Sequence, residues 1–133
     1  MNVDNQSDKS LKGLKVLVAE DNKMNVMVLK KILAKWEVEC DIAENGIQVL
    51  EMLKCKVYDL IFMDLQMPEM DGYEATKNIR EQKDSYYQTI PIIALTANAM
   101  LDKTNEILNK GMSDYVAKPF NPEELKKLIQ KYI

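Results

Sequence analysis

Five short strand-like runs, each followed by a longer amphipathic stretch, constrain this chain more than any other feature. Lys15 to Ala19 (KVLVA) is β-branched and apolar and stops abruptly at Glu20-Asp21-Asn22. Glu39 to Ala43 (ECDIA) alternates in the manner of a strand and closes on the Asn45-Gly46 turn signal. Leu60 to Met63 (LIFM) ends at Asp64, Ile90 to Leu95 at Thr96, and Tyr115 to Ala117 at Lys118-Pro119. Between them, helical spacing places Asn25, Leu29, Ile32, Leu33 and Trp36 on one face, and Ile47, Leu50 and Leu53 suggest a second helix. Asp71-Gly72 opens a third helix through Arg80, and Met100 to Lys110 forms a fourth that stops at Gly111. Asn121 caps a fifth, with Pro122 in its first position and Leu125, Leu128, Ile129 and Tyr132 on one face.

Strands this apolar, separated by helices, predict a parallel sheet covered on both faces. Right-handed crossovers then favour an α/β fold with an open, doubly wound sheet. The 133 residues suffice for one such domain and fall far short of a closed eight-unit barrel. Residues 1–13 are polar and aperiodic, so they are expected to be a tail or linker, with the domain occupying 14–133.

Composition narrows the chemistry. The chain has no histidine, which excludes a Ser-His-Asp triad, a Cys-His pair, a His-ligated metal and a phosphohistidine of its own. A net charge of −3 argues against nucleic acid or anionic membrane as partners. Cys40 and Cys55 form no metal or disulfide framework, and no apolar run is long enough for a membrane span. The polar N-terminus has no signal-peptide core, and the expected location is the cytoplasm.

Open α/β sheets bind ligands beyond the carboxyl ends of their strands. There this sequence places Glu20 and Asp21 after the first strand, Asp64 after the third, Thr96 after the fourth and Lys118 after the fifth. Each alone is explained by helix capping or solvation. All five on one edge, with no matching set opposite, point to a site. Clustered carboxylates repel one another, and a divalent cation removes that cost; hard oxygen ligands suit Mg2+, with Mn2+ an alternative. A carboxylate beside such an ion can attack phosphorus, while an ammonium and a hydroxyl hold phosphoryl oxygens. Asp64, which directly ends a central apolar strand, is the candidate nucleophile.

The segments Val16-Leu-Val-Ala-Glu-Asp-Asn22, Met63-Asp-Leu-Gln-Met-Pro-Glu-Met-Asp-Gly72, Ile93-Ala-Leu-Thr-Ala97 and Asp114-Tyr-Val-Ala-Lys-Pro-Phe120 resemble the receiver domain of two-component response regulators, in order and spacing. The resemblance implies a flavodoxin-like sheet of order 2-1-3-4-5. It implies that Asp64 is the phosphoacceptor, that Glu20, Asp21 and Asp64 hold Mg2+ with the Gln66 backbone carbonyl, and that Lys118, Thr96 and Ala97 face the phosphoryl group. It further implies a switch pair in Thr96 and Tyr115, a cis bond between Lys118 and Pro119, and a switching surface made of the fourth helix, fifth strand and fifth helix. The finer pattern (Glu20-Asp-Asn-Lys-Met-Asn25, Leu95-Thr-Ala-Asn-Ala99) is similar to receivers of hybrid sensor histidine kinases.

The expected function is therefore acceptance of a phosphoryl group from a histidine kinase or a histidine phosphotransfer domain. The domain is expected to be a monomer or weak dimer without direct membrane contact. It would not be an enzyme beyond its own phosphorylation and dephosphorylation, although a hybrid parent would be a protein-histidine kinase. Gln66 and Asn98 lie where side chains could orient the hydrolytic water. A stand-alone response regulator is one alternative. An aspartyl-phosphate hydrolase is another, but it needs a second aspartate where this chain has Gln66.

Overall fold

The computed structural model describes residues 10–97 and 100–133. Five strands form a single parallel sheet: β1 (Lys15–Ala19), β2 (Glu39–Ala43), β3 (Leu60–Asp64), β4 (Ile92–Thr96) and β5 (Asp114–Ala117). Their spatial order is β2-β1-β3-β4-β5, the doubly wound order implied by the resemblance. Helices α1 (Lys23–Lys35), α2 (Gly46–Cys55), α3 (Gly72–Arg80), α4 (Ser85–Thr89), α5 (Leu101–Asn109) and α6 (Pro122–Lys131) connect and cover the strands. No helix among the described residues is long and apolar enough to cross a membrane.

The alternation of side chains along each strand divides the core in two. Leu17, Ile61, Met63, Ile92 and Ala94 point to one layer, where they meet Val49, Ala75, Ile79 and Ile107. Val16, Val18, Phe62, Ile93 and Leu95 point to the other, where Leu29, Leu33, Leu125 and Ile129 cover them. β3 and β4 are buried along their whole length. That is why they read as continuous apolar runs rather than alternating ones. Four of the sheet-covering helices, α1, α2, α3 and α6, begin where a side chain accepts from their first N–H groups. Asn22 Oδ1 accepts from the Met24 and Asn25 N–H groups at 2.9 and 3.2 Å. Asp71 caps α3 through the Glu74 N–H, and Asn121 caps α6 through the Glu123 and Glu124 N–H groups. Asn45, expected as a turn residue, caps α2 through the Gln48 N–H.

Three features differ from the sequence expectation. The run beginning at Ile90 enters the sheet only at Ile92, because Ile90 ends α4 and Pro91 has no N–H for the ladder. The short helix α4 has no counterpart in the sequence pattern. It is five residues without helical periodicity, held by tertiary bonds: Tyr86 Oη accepts from the Tyr58 N–H and donates to the Tyr58 carbonyl, and the Tyr87 hydroxyl donates to the Leu53 carbonyl. The fourth and fifth helices of the sequence pattern are consequently α5 and α6. Lastly, Leu11 is 3% exposed within the second core layer, so packing begins inside the segment expected to be a tail.

Gly72 ties α3 to the end of β3. A Cβ at this position would run into the Asp64 backbone carbonyl and come within 3.0 Å of Met63 Cγ, neither of which can retreat from the buried sheet. Gly72→Ala is expected to cost about 2–4 kcal/mol, measured as a lowered urea midpoint with an unchanged slope. At Gly13 a Cβ would meet nothing, but its φ of +83° makes Gly13→Ala costly for the backbone alone, by roughly 1 kcal/mol.

Candidate functional site

The ends of β1, β3, β4 and β5 meet along one edge, and the pairing itself delivers the polar side chains there. Glu20 continues β1 by one residue, its N–H donating to the Ala43 carbonyl at 3.0 Å, which buries its side chain completely. Asp64 is the last residue of β3, in register with Leu95 of β4. Thr96 closes β4, buried at 4% exposure. Lys118 follows β5, and its N–H donates to the Thr96 carbonyl at 2.8 Å. The Lys118–Pro119 peptide bond is cis. Together these residues line a cleft of about 730 Å3.

Lys118 organises the charges. Its ammonium lies 3.0 Å from Glu20 Oε1 and 3.3 Å from Asp64 Oδ2, bridging two carboxylates that come from different strands. Glu20 also accepts from the Asn22 N–H at 3.1 Å and the Asn25 amide at 3.3 Å. Asp64 Oδ1 accepts from the Gln66 N–H at 3.3 Å. Burial pushes the Glu20 carboxyl up, but its hydrogen bonds with Asp64, Lys118 and Asn22 outweigh this and hold it below its ordinary range. Asp64 goes the other way. Burial and the neighbouring Glu20 carboxylate push it up to about 6, against the pull of Lys118 and Gln66. Burial lowers Lys118, yet the two carboxylates prevail and its ammonium is stabilised.

Asp21 completes the acidic set at the exposed lip. Carboxylate oxygens of Glu20, Asp21 and Asp64 all lie within 4.8 Å of one another. Hard oxygen donors at this spacing, open to solvent on one side, fit a small divalent cation that retains water ligands. Gln66 and Ala97 also line the cleft, with exposed side chains. Tyr115 does not; its half-buried ring packs against the first core layer. Asn98 lies outside the described residues.

Two cleft residues were not singled out from sequence. Asn25 looks like part of the apolar face of α1, but its amide reaches Glu20; its place one turn after the Glu20-Asp21-Asn22 segment was the available signal. Lys103 lies in the first turn of α5 and lines the cleft from the far side. Its ammonium is 3.6 Å from Glu106 and 5.4 Å from the centre of the Tyr73 ring. Contacts of this exposed kind are each worth roughly 0.3–1 kcal/mol; the i,i+3 spacing marks the Glu106 pair, but nothing local in the sequence marks the Tyr73 contact.

The pattern of the response regulator receiver domain matches residues 16–130. The chain belongs to this family. As a receiver it is a component of two-component phosphorelay signalling. It is 40% identical over 125 residues to hybrid signal transduction histidine kinase G of Dictyostelium discoideum, covering 92% of this chain and 4% of that protein. Against the histidine-protein kinase BarA of Escherichia coli K12 it is 36% identical, covering 95% of this chain and 14% of the relative. The receiver thus spans a small part of the curated relatives it matches. Among solved structures, the receiver domain of sensor histidine kinase PA1611 from Pseudomonas aeruginosa superposes with a TM-score of 0.82 at 38% identity, covering 90% of this chain and 97% of that one. That structure has a magnesium ion coordinated in its active-site cleft. The Ssk1 receiver of Saccharomyces cerevisiae, crystallised with the histidine phosphotransfer protein Ypd1, gives 0.82 at 33% identity, covering 93% of this chain and 91% of that one.

The crowded carboxylates make a stability prediction. The folded receiver holds Asp64 near 6 whereas the unfolded chain titrates near 3.8, so between these values the folded state binds more protons. The Asp64 contribution to stability without metal therefore falls as pH rises from about 4 to about 6, opposite in sign to that of Glu20, whose carboxyl is held low. Asp64→Asn removes this slope and is expected to stabilise the metal-free protein by about 1–3 kcal/mol at pH 7.5, with no gain near pH 4. Thermal melts across that range check both signs. Mg2+ should raise the midpoint of the wild type more than that of the variant.

Proposed function

We propose that Asp64 accepts a phosphoryl group from the phosphohistidine of a histidine kinase or histidine phosphotransfer domain. The observation that carries this is the Asp64 carboxylate at the end of β3, bonded by Lys118 and grouped with Glu20 and Asp21 at the mouth of a polar cleft. A carboxylate oxygen of Asp64 attacks phosphorus, the P–N bond of the donor breaks, and the electron pair returns to the donor imidazole. Lys118 stabilises the transferred negative charge. Mg2+, or Mn2+ in its place, held by Glu20, Asp21, Asp64 and the Gln66 backbone carbonyl, would neutralise the repulsion between the two approaching anions. The magnesium bound by the PA1611 receiver and the donor set of this chain support that assignment.

Once formed, the acyl phosphate draws the Thr96 hydroxyl toward it, Ala97 leaves room for the phosphoryl oxygens, and Tyr115 responds from β5. This biases the α5-β5-α6 surface between two packings. Gln66 and Asn98 orient the water that later returns Asp64 to the carboxylate. The relatives matched over most of this chain include hybrid signal transduction histidine kinases, so residues 14–133 serve as the receiver module of such a protein, in the cytoplasm, with the kinase activity residing elsewhere in the parent. The likeness to the Ssk1 receiver supports a phosphotransfer protein as partner.

Incubation with Mg2+ and acetyl phosphate is expected to add one phosphoryl group by intact mass, and Asp64→Asn to abolish it. Lys118→Ala should reduce the adduct at least tenfold. An undiminished adduct in Asp64→Asn would overturn the assignment.

A further inference from the structure

We propose that Lys103 is a second cation for the phosphoryl group, held in reserve on Tyr73 and Glu106 until Asp64 is modified; this rests on Asp64 being the phosphoacceptor. Three observations carry it. Lys103 lines the same cleft as Asp64, Thr96 and Lys118, from the α5 side. It also stands where helix electrostatics disfavour a cation, since the first turn of α5 is the positive end of that helix. Finally, its present partners are weak and exposed: Glu106 is three residues on along the helix, with the side chains of Lys103 and Glu106 31% and 47% exposed.

A phosphoryl dianion on Asp64 changes the balance. Lys118 is already engaged by Glu20 and Asp64 deep in the cleft, so the new charge has room for a second ammonium on its outer side. A charge-assisted bond to phosphate is stronger than an exposed ion pair or a cation–π contact. The Lys103 side chain then leaves Tyr73, whose hydroxyl is 3.3 Å from Glu106 and so links α3 to α5. Lys110, 5.9 Å from the Tyr73 ring centre, remains as the ring's other cation. Occupancy of the cleft is thereby transmitted to the exposed α3–α5 surface by one flexible side chain.

The test titrates the receiver with beryllofluoride, a phosphoryl mimic, in the presence of Mg2+, and follows amide and tyrosine ring signals by NMR. The wild type should bind the mimic and shift its Tyr73 ring resonances. Lys103→Gln should bind about fivefold more weakly, Lys103→Arg should retain wild-type affinity, and Glu106→Gln, which releases Lys103, should bind about twofold more tightly. If the wild type binds no mimic, the phosphoacceptor assignment falls and this inference with it. If it binds but Lys103→Gln is unchanged or the Tyr73 signals stay still, Lys103 has no such role while the assignment stands. Weakening in both Lys103→Gln and Glu106→Gln would mean damage to α5 and would equally overturn the proposal.

Discussion

Parallel pairing of β1, β3 and β4, with helices on both faces, is the constraint on which the rest of this molecule depends. All three strands consume their backbone groups in the ladder and bury their side chains in the two core layers. Polar chemistry is excluded from their length and appears only where they end. Because the strands run the same way, those ends fall on one edge, and residues as distant in sequence as Glu20 and Lys118 become neighbours. Right-handed crossovers supply the covering helices from the same topology. The close approach of Gly72 to the Asp64 backbone shows how tightly the site is set into this frame.

The site accepts an electrostatic cost that the fold alone does not require. Two carboxylates, Glu20 and Asp64, sit together in a partly desolvated cleft with one lysine between them. Lys118 settles the arrangement by favouring the better-bonded Glu20, which also holds the Asn22 N–H and the Asn25 amide. Asp64 is left with a raised affinity for a proton. The same imbalance raises its affinity for any cation, and its two oxygens are held only by 3.3 Å contacts, Oδ1 with the Gln66 N–H and Oδ2 with Lys118. A group poised in this way is suited to change partners, whereas Glu20 is suited to stay.

Much of this was legible in the chain. Apolar runs ending in Asp64, Thr96 and Lys118 announced both the sheet and its functional edge, because strand burial and strand termination leave direct marks in residue type. Caps were equally plain: Asn22, Asp71 and Asn121 act within three residues of themselves. What escaped notice depends on contacts between distant segments. α4 exists because Tyr86 and Tyr87 bond to residues some thirty positions earlier, not because of its own periodicity. Leu11 looked like part of a polar leader, yet it is buried in the second core layer.

By itself the sequence determined the class of fold, the strand that carries Asp64 and the residue types available for the site, since periodicity, capping and composition are local properties. It also determined that any phosphohistidine must be supplied by another domain or molecule, because the chain has no histidine. Only the tertiary structure decided which carboxylate Lys118 favours, that Asn25 belongs to Glu20, and that Lys103 stands between the cleft and Tyr73. Those outcomes are set by separations of a few ångströms between side chains from different elements, and the pattern along the chain contains no measure of such distances.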